Sequence, residues 1–479
     1  MKPLMLCALL ALSGCATVGA DFKEPQGASA PVWRHASAAA AVDNARLPAT
    51  WWAVFNDATL NELEERALRD NPGVKASAQR LLQAQAQLGI LRAAQGPSVN
   101  VGTSVANSRS SQYTSQSLAL GGRSIEGNNY TVGAQLSYEL DLWGRVKRVV
   151  EAADAQALAT QNDRDGVILL LSAQVANTYW QLRGMDAEMA ILQQALGTRG
   201  EALQVVEARY TGGLTNELDV ARARVERSNA EADLHEVQRQ RNLLENSLAV
   251  LTGVAPSAPL IASLGTTTLP EPPVIPVGLP ASLLSQRPDL AASVAGLRAA
   301  NANVAVAEGA FYPSLTLTGN FGFASESLSD LARSGARQFS VGPLALSLPL
   351  FDGGRNKANL ALSTARYGEA VANHETRLLT ALREVEDALS DVKQRQKQGE
   401  AQATSQQAAA RAVLVAQARY DRGLSTYLDV TDAQRSSLAA ERTAAQIRTQ
   451  RLLATVAVAR SLGAGWTPQA PVATIAGTK

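Results

Sequence analysis

The sequence predicts a mainly α-helical chain that carries transmembrane-type β-strands and is built from one helix–strand–strand–long helix–helix unit used twice. Three observations predict it. The phrase "ARYTGGLTNELDV", beginning at Ala208, returns as "ARYDRGLSTYLDV" at Ala418, 210 residues later. Pro-free stretches at about 144–210 and 354–421 step their apolar residues by three and four, as Val146, Val149, Val150, Ala153 and Ala157 do. Between the helical stretches lie short segments in which apolar and polar residues strictly alternate.

The chain begins with a short signal-type segment. Lys2 precedes the apolar run "LMLCALLALSGC", too brief to span a bilayer as a mature helix. Leu12-Ser13-Gly14-Cys15 resembles a bacterial lipobox, so residues 1–14 are expected to be a signal peptide and Cys15 a lipidated N-terminus, with 15–57 an extended segment. Cys7 would leave with the signal, which leaves no thiol for a disulfide in an oxidising compartment. Ala16 rather than Asp follows the Cys, which by analogy favours the outer membrane. No uninterrupted run of about eighteen apolar residues occurs elsewhere.

The first repeat is placed at 58–265: a helix, strands at about 98–107 and 130–142, a long helix 144–210, a tip 211–215 and a return helix 216–252. A Pro-rich linker, "TTTLPEPPVIPVGLP", covers 266–280. The second repeat, 281–463, has strands at about 314–324 and 339–350, a long helix 354–421, a tip 422–425 and a return helix 426–462, before a tail 464–479. Gly144-Arg145 falls on Gly354-Arg355 at the offset of 210, while Pro97 falls on Pro313 at 216. The Ser/Gly-rich run "NSRSSQYTSQSLALGGRSIEGNN" absorbs the difference and reads as a surface loop.

In "YTVGAQLSYELDL" the apolar set is Tyr130, Val132, Ala134, Leu136, Tyr138, Leu140 and Leu142, and the other face holds Thr131, Gln135, Ser137, Glu139 and Asp141. That alternation suits a barrel strand with lipid on one side and a hydrated lumen on the other; the competing reading is a half-buried strand of a soluble sandwich. Glu139 and Asp141 would line the lumen or, alternatively, cap the helix that follows. Pro343 disturbs the fourth strand. Four strands cannot close a barrel, because small barrels need about eight. Open edges in lipid are forbidden, so other copies of the chain must complete the sheet. Three copies would supply twelve strands.

Composition excludes other classes. A net charge of +1 gives no ground for a nucleic-acid partner. Aromatics are only 5% of the chain, which argues for close-packed Ala/Leu/Val helices rather than a bulky aromatic core. His35, His235 and His374 stand apart from one another, and "GGRSIEG" and "FDGGR" lack the Lys-Ser/Thr of a phosphate loop. No enzyme, metal site or cofactor is expected, and transport through the chain would need a powered partner.

The lipobox, the duplicated plan and the paired "RY..GL....LDV" turns together resemble the TolC-like outer membrane efflux proteins, in particular the lipoprotein subgroup of the OprM and NodT type. The resemblance runs from "WWAVFNDATLNELEERALRDNPGV" to "SLGAGW". It implies a homotrimer with a 12-stranded barrel in the outer membrane and a long α-helical periplasmic tunnel, anchored by diacylglycerol and an N-acyl chain such as palmitate on Cys15. It implies passive export of drugs, metals or other solutes from an inner-membrane pump of the RND type through a periplasmic adaptor. Channels for protein secretion and lipid-anchored structural coiled coils are the alternatives.

Residue by residue, Gly212, Gly213, Leu214 and Thr215, with Gly423, Leu424 and Ser425, match the family's adaptor-docking tips, and Thr215 and Ser425 are expected to cap the returning helices. Leu428 and Asp432 match its periplasmic constriction, where three Leu side chains would dewet the aperture and three carboxylates would ring it. Arg435 or Arg222 would hold Asp432 in an ion pair between protomers.

Overall fold

The structure is a computed structural model that describes residues 17–24, 32–35, 47–119, 121–266, 268–277 and 286–468. Its elements are α1 (Ala58–Asp70), α2 (Pro72–Ala93), β1 (Ser98–Arg109), the short α3 (Ser115–Ala119), β2 (Glu126–Leu140), α4 (Arg145–Thr211), α5 (Glu217–Leu251), α6 (Pro288–Gly309), β3 (Ser314–Ser325), β4 (Arg337–Ser347), α7 (Arg355–Asp421) and α8 (Tyr427–Ser461). A 3-10 turn, Trp51–Phe55, precedes α1. The helix before the first strand is broken in two at Asn71, whose extended backbone ahead of Pro72 stops α1 while its side chain caps α2 through Gly73. Residues 1–16, with the signal segment and Cys15, lie outside the described residues, as do most of the linker's end and the tail beyond 468.

The chain divides into two compact units. The first takes residues 1–25, 81–160 and 293–374 and holds one antiparallel sheet in the order β1-β2-β3-β4. Its register lines up a row of apolar residues from strand to strand: Val101 on Ala134, Ala134 on Phe321, Phe321 on Phe339. The neighbouring row, Asn100, Gln135, Asn320 and Ser340, is polar throughout. One face is therefore mainly apolar, with polar residues such as Thr103, Asn107 and Arg337 set in it or at its end, yet Val99, Val101, Val105, Phe321, Phe339 and Val341 are all exposed. A register shift between Leu317 and Gly319 accommodates Pro343, which has no amide to give to the ladder. α6 is the one helix among the described residues long and apolar enough to cross a membrane by length and composition, and its Leu297, Ala302 and Ala305 are buried.

The second unit takes residues 26–80, 161–292 and 375–479. The four long helices run through it without a break. Gly184 interrupts nothing: a Cβ there would lie 2.4 Å from Thr449 Oγ1, so this glycine lets α4 approach α8 closely. The core here is mostly Leu, Val and Ala, with one aromatic cluster set in it. Trp51, Trp52, Phe55, Tyr179 and Trp180 are few but gathered: Trp51 meets Trp52 edge-on at 6.1 Å, and Phe55 meets Trp180 at 5.4 Å. Composition counts aromatics and is blind to their concentration. Asp57 ties this core to its helix, accepting from the Leu60 amide at 2.9 Å and from the Tyr179 hydroxyl at 2.7 Å.

Candidate gate and docking tips

Each long helix ends the same way. Gly213 and Gly423 sit at φ +70° and +71°, a region that Cβ-bearing residues avoid. The Leu214 amide donates to the Arg209 carbonyl at 2.8 Å and the Leu424 amide to Arg419 at 2.9 Å, while Gly213 and Gly423 donate to Tyr210 and Tyr420, both at 2.9 Å. Both tips are thus Schellman turns. Leu214 and Leu424 are 79% and 65% exposed, too apolar to be left in water without a reason.

The return helices are capped one residue later than expected. Asn216 accepts from the Asp219 amide at 3.1 Å, and Thr426 forms a capping box in which its own amide donates to Asp429 at 3.0 Å. Helical geometry starts at Glu217 and Tyr427, so Thr215 and Ser425 lie outside the cap position. Thr215 instead donates its hydroxyl to Asp219 at 2.6 Å, and the Ser425 hydroxyl has no hydrogen-bond partner among the described residues.

Behind the turns the two hairpins join. Val206, Val220, Ala223, Tyr427 and Val430 make a small buried cluster, with Tyr420 packed on Tyr427 at 5.5 Å and the Arg209 guanidinium 4.9 Å above the Tyr420 ring.

Leu428 and Asp432 share an exposed stretch of α8. Arg435 lies 3.5 Å from Asp432 but is held chiefly by a residue the sequence reading missed, Glu226 of α5, to which its Nε donates at 2.6 Å. Glu226 is 4% exposed and also takes Arg199 of α4 at 3.3 Å, while Arg199 donates to the Glu226 carbonyl at 2.8 Å. Hydrogen bonding to Glu226 raises the Arg435 pKa, whereas burial pushes Arg199 down. Arg222 turns away to Asp219 at 3.4 Å. Within the chain the partner of Asp432 is therefore Arg435 and not Arg222. A second rung repeats the pattern: Arg442 donates to Asp233 at 2.8 Å and to Glu188 at 2.7 Å. Acids 226 and 233 and arginines 435 and 442 are each seven residues apart, and that shared heptad spacing was the available signal.

Glu139 and Asp141, expected on the lumen face, are engaged locally. Asp141 accepts from the Val146 and Lys147 amides at 3.0 and 2.7 Å, capping α4, and Arg145 grips Glu139 with contacts of 2.7 and 2.8 Å. The capping alternative holds for Asp141, because four orphan amides at the start of a 67-residue helix draw in the nearest carboxylate. Cys15 is not described, but the strap just after it is: the Val18 amide donates to the Trp143 carbonyl at 2.9 Å.

Comparison with known proteins gives one family. The outer membrane efflux protein family matches twice, over residues 63–254 and 279–464, one match for each repeat. The chain is 34% identical to outer membrane protein OprJ of Pseudomonas aeruginosa, over 96% of this chain and 95% of that one. It is 31% identical to the solvent efflux pump outer membrane protein SrpC of Pseudomonas putida, over 97% and 98%. Its fold superposes on the outer-membrane channel OprN with a TM-score of 0.87 at 31% identity, over 94% of this chain and 100% of that one.

Proposed function

The chain belongs to the outer membrane efflux protein family, and from that premise we propose that it is the passive outer-membrane exit duct of a tripartite efflux system. The observation that carries this reading is the sheet: one mainly apolar face, one polar face, and two edges, β1 and β4, without partners among the described residues. In lipid such edges need closing, and three copies of four strands make a twelve-stranded barrel with its polar face on a watery lumen. The Cys15 lipid would tether the strap that begins at Thr17.

The rest follows from chemistry. The chain offers no phosphate loop, so the driving force comes from an inner-membrane pump, and the exposed Leu214 and Leu424 tips are the surface for a periplasmic adaptor. SrpC carries a solvent-efflux name, which fits small solutes as cargo. Leu428 and Asp432, one copy from each protomer, form the constriction, and Glu226 fixes the Arg435 that faces Asp432.

Planar-bilayer recording tests the reading. The Leu428→Ala/Asp432→Ala protein should conduct several-fold more than wild type, because the ring loses both its apolar collar and its charges. Unchanged conductance would remove the constriction from these residues, and a wild type that never conducts would remove the duct.

A further inference from the structure

Within the unit that holds the sheet, a groove of about 560 Å³ opens where strands pass into helices. It is lined by Thr17, Val18 and Gly19 of the N-terminal strap, Trp143 of the β2–α4 joint, and Glu308, Phe311 and Tyr312 of the α6–β3 joint. The walls are fixed. Trp143 Nε1 donates to the Pro313 carbonyl at 2.8 Å, and its ring lies 5.3 Å from that of Tyr312. Arg148, whose side chain is 5% exposed, donates to the Val18 and Gly19 carbonyls at 3.2 and 3.1 Å and to Asp21 at 2.8 Å. Gly19 takes φ +88°, and a Cβ there would fall 2.2 Å from that of Ala305, so the strap is pressed onto α6.

One group in this wall is out of place. Glu308 stands in the last turn of α6, where the helix dipole is negative and disfavours a carboxylate. Its side chain has no ion pair or hydrogen bond among the described residues, whereas the Gly19 and Ala20 carbonyls and Asp21 of the strap beside it are all engaged, by Arg148 and Asn301. A carboxylate lining the same groove as two packed, mutually tilted aromatic rings is the chemistry that holds an ammonium: charge on one side, aromatic surface on the other. Trp and Tyr at strand ends also favour the membrane–water boundary, and Phe311 and Tyr312 are half exposed there.

We propose that this groove binds a phospholipid with a primary ammonium headgroup, a phosphatidylethanolamine. The ammonium sits against Glu308 and the Trp143–Tyr312 pair, with the acyl chains running past Phe311. An anionic phospholipid meets only the repulsion of Glu308. The proposal rests on the reading of the sheet as a membrane barrel.

Native mass spectrometry of the full-length protein, delipidated and then given defined phosphatidylethanolamine or phosphatidylglycerol, tests it. Wild type should retain the ethanolamine lipid under activation that strips the glycerol lipid. Glu308→Gln should lower that retention at least tenfold, and Tyr312→Ala should also weaken it, with the assembly still intact. Equal retention of the two lipids, or Glu308→Gln binding like wild type, overturns the proposal. So does ethanolamine lipid that appears only in Cys15→Ala protein, which assigns the groove to the chain's own acyl groups. Conductance of the same wild-type sample separates the readings: a conducting protein without the lipid refutes the groove alone, and a lipid-bound protein that never conducts refutes the duct.

Discussion

At the scale of single residues, two buried carboxylates behave in opposite ways. Glu226 is buried but answered, by Arg199 and Arg435 together. Removing it leaves the buried Arg199 without its counter-charge, and breaking such a pair from one side costs about 3 kcal/mol. Glu226→Ala should therefore lower the thermal midpoint of the extracted protein by several degrees, whereas Asp432→Ala, at an exposed pair worth about 1 kcal/mol or less, should barely move it. Equal shifts in the two variants would deny Glu226 its place between the hairpins. Glu64, by contrast, lies fully buried, and neither oxygen has a geometrically sound hydrogen bond among the described residues. Burial raises its pKa well above the usual 4.5, outweighing a weak contact from the Ala176 backbone. The native state then keeps a proton that the unfolded chain gives up, so stability falls as pH rises from about 4.5 towards the raised value. Glu64→Gln, neutral at every pH, should flatten that slope in denaturation curves taken across the range.

At the scale of elements, the duplication repeats geometry as well as sequence. Gly253 and Gly463 end the return helices in the same Schellman turn that Gly213 and Gly423 place at the tips. The surroundings differ: nothing lies within 4 Å of a Cβ built on Gly423, but one on Gly463 would fall 1.8 Å from the Gln286 carbonyl. Gly423→Ala should cost only the left-handed backbone penalty of about 1 kcal/mol, while Gly463→Ala should cost clearly more, because the chain before α6 must also move. Urea denaturation of both variants decides it, and equal losses would refute the packing argument. The same contrast shows what the sequence could reveal. Tips and strands are legible because a left-handed glycine and a period of two are local signatures. The cap fell one residue away, on Asn216 and Thr426, because hydroxyl and amide side chains at adjacent positions compete and only the start of helical geometry decides between them. For Asp141 the sequence leaves lumen and cap both open, because alternation assigns a face and does not say whether the orphan amides five residues on draw the carboxylate in. Glu226 and Arg435 are 209 positions apart, and their matching heptad spacing hints at a pairing that only the way two helices lie side by side can fix.

At the scale of the whole molecule, everything turns on how the sheet is completed. β1 and β4 run antiparallel to the strand each would meet in a neighbouring copy, because four is even: β1 and β3 run one way, β2 and β4 the other. A copy of β1 laid against β4 therefore continues the ladder in the same antiparallel sense, and the apolar row of Val99, Val101 and Val105 continues that of Phe339, Val341 and Leu346 on one face. Within a chain, β1 and β4 are three strand spacings apart, roughly 14 Å, well beyond the ~7 Å Cα limit for a disulfide. Any disulfide between cysteines placed on these two strands must then join different chains. Val101→Cys combined in turn with Phe339→Cys, Val341→Cys, Leu344→Cys or Leu346→Cys samples the register of the closing pair. At least one combination should give covalent dimers and trimers on a non-reducing gel after mild oxidation in membranes. The ladder should stop at three chains, since a ring of three leaves no edge to extend, whereas an open stack of sheets would run on to higher multiples. A ladder that passes three, or no cross-link in any register, would rule out the twelve-stranded barrel.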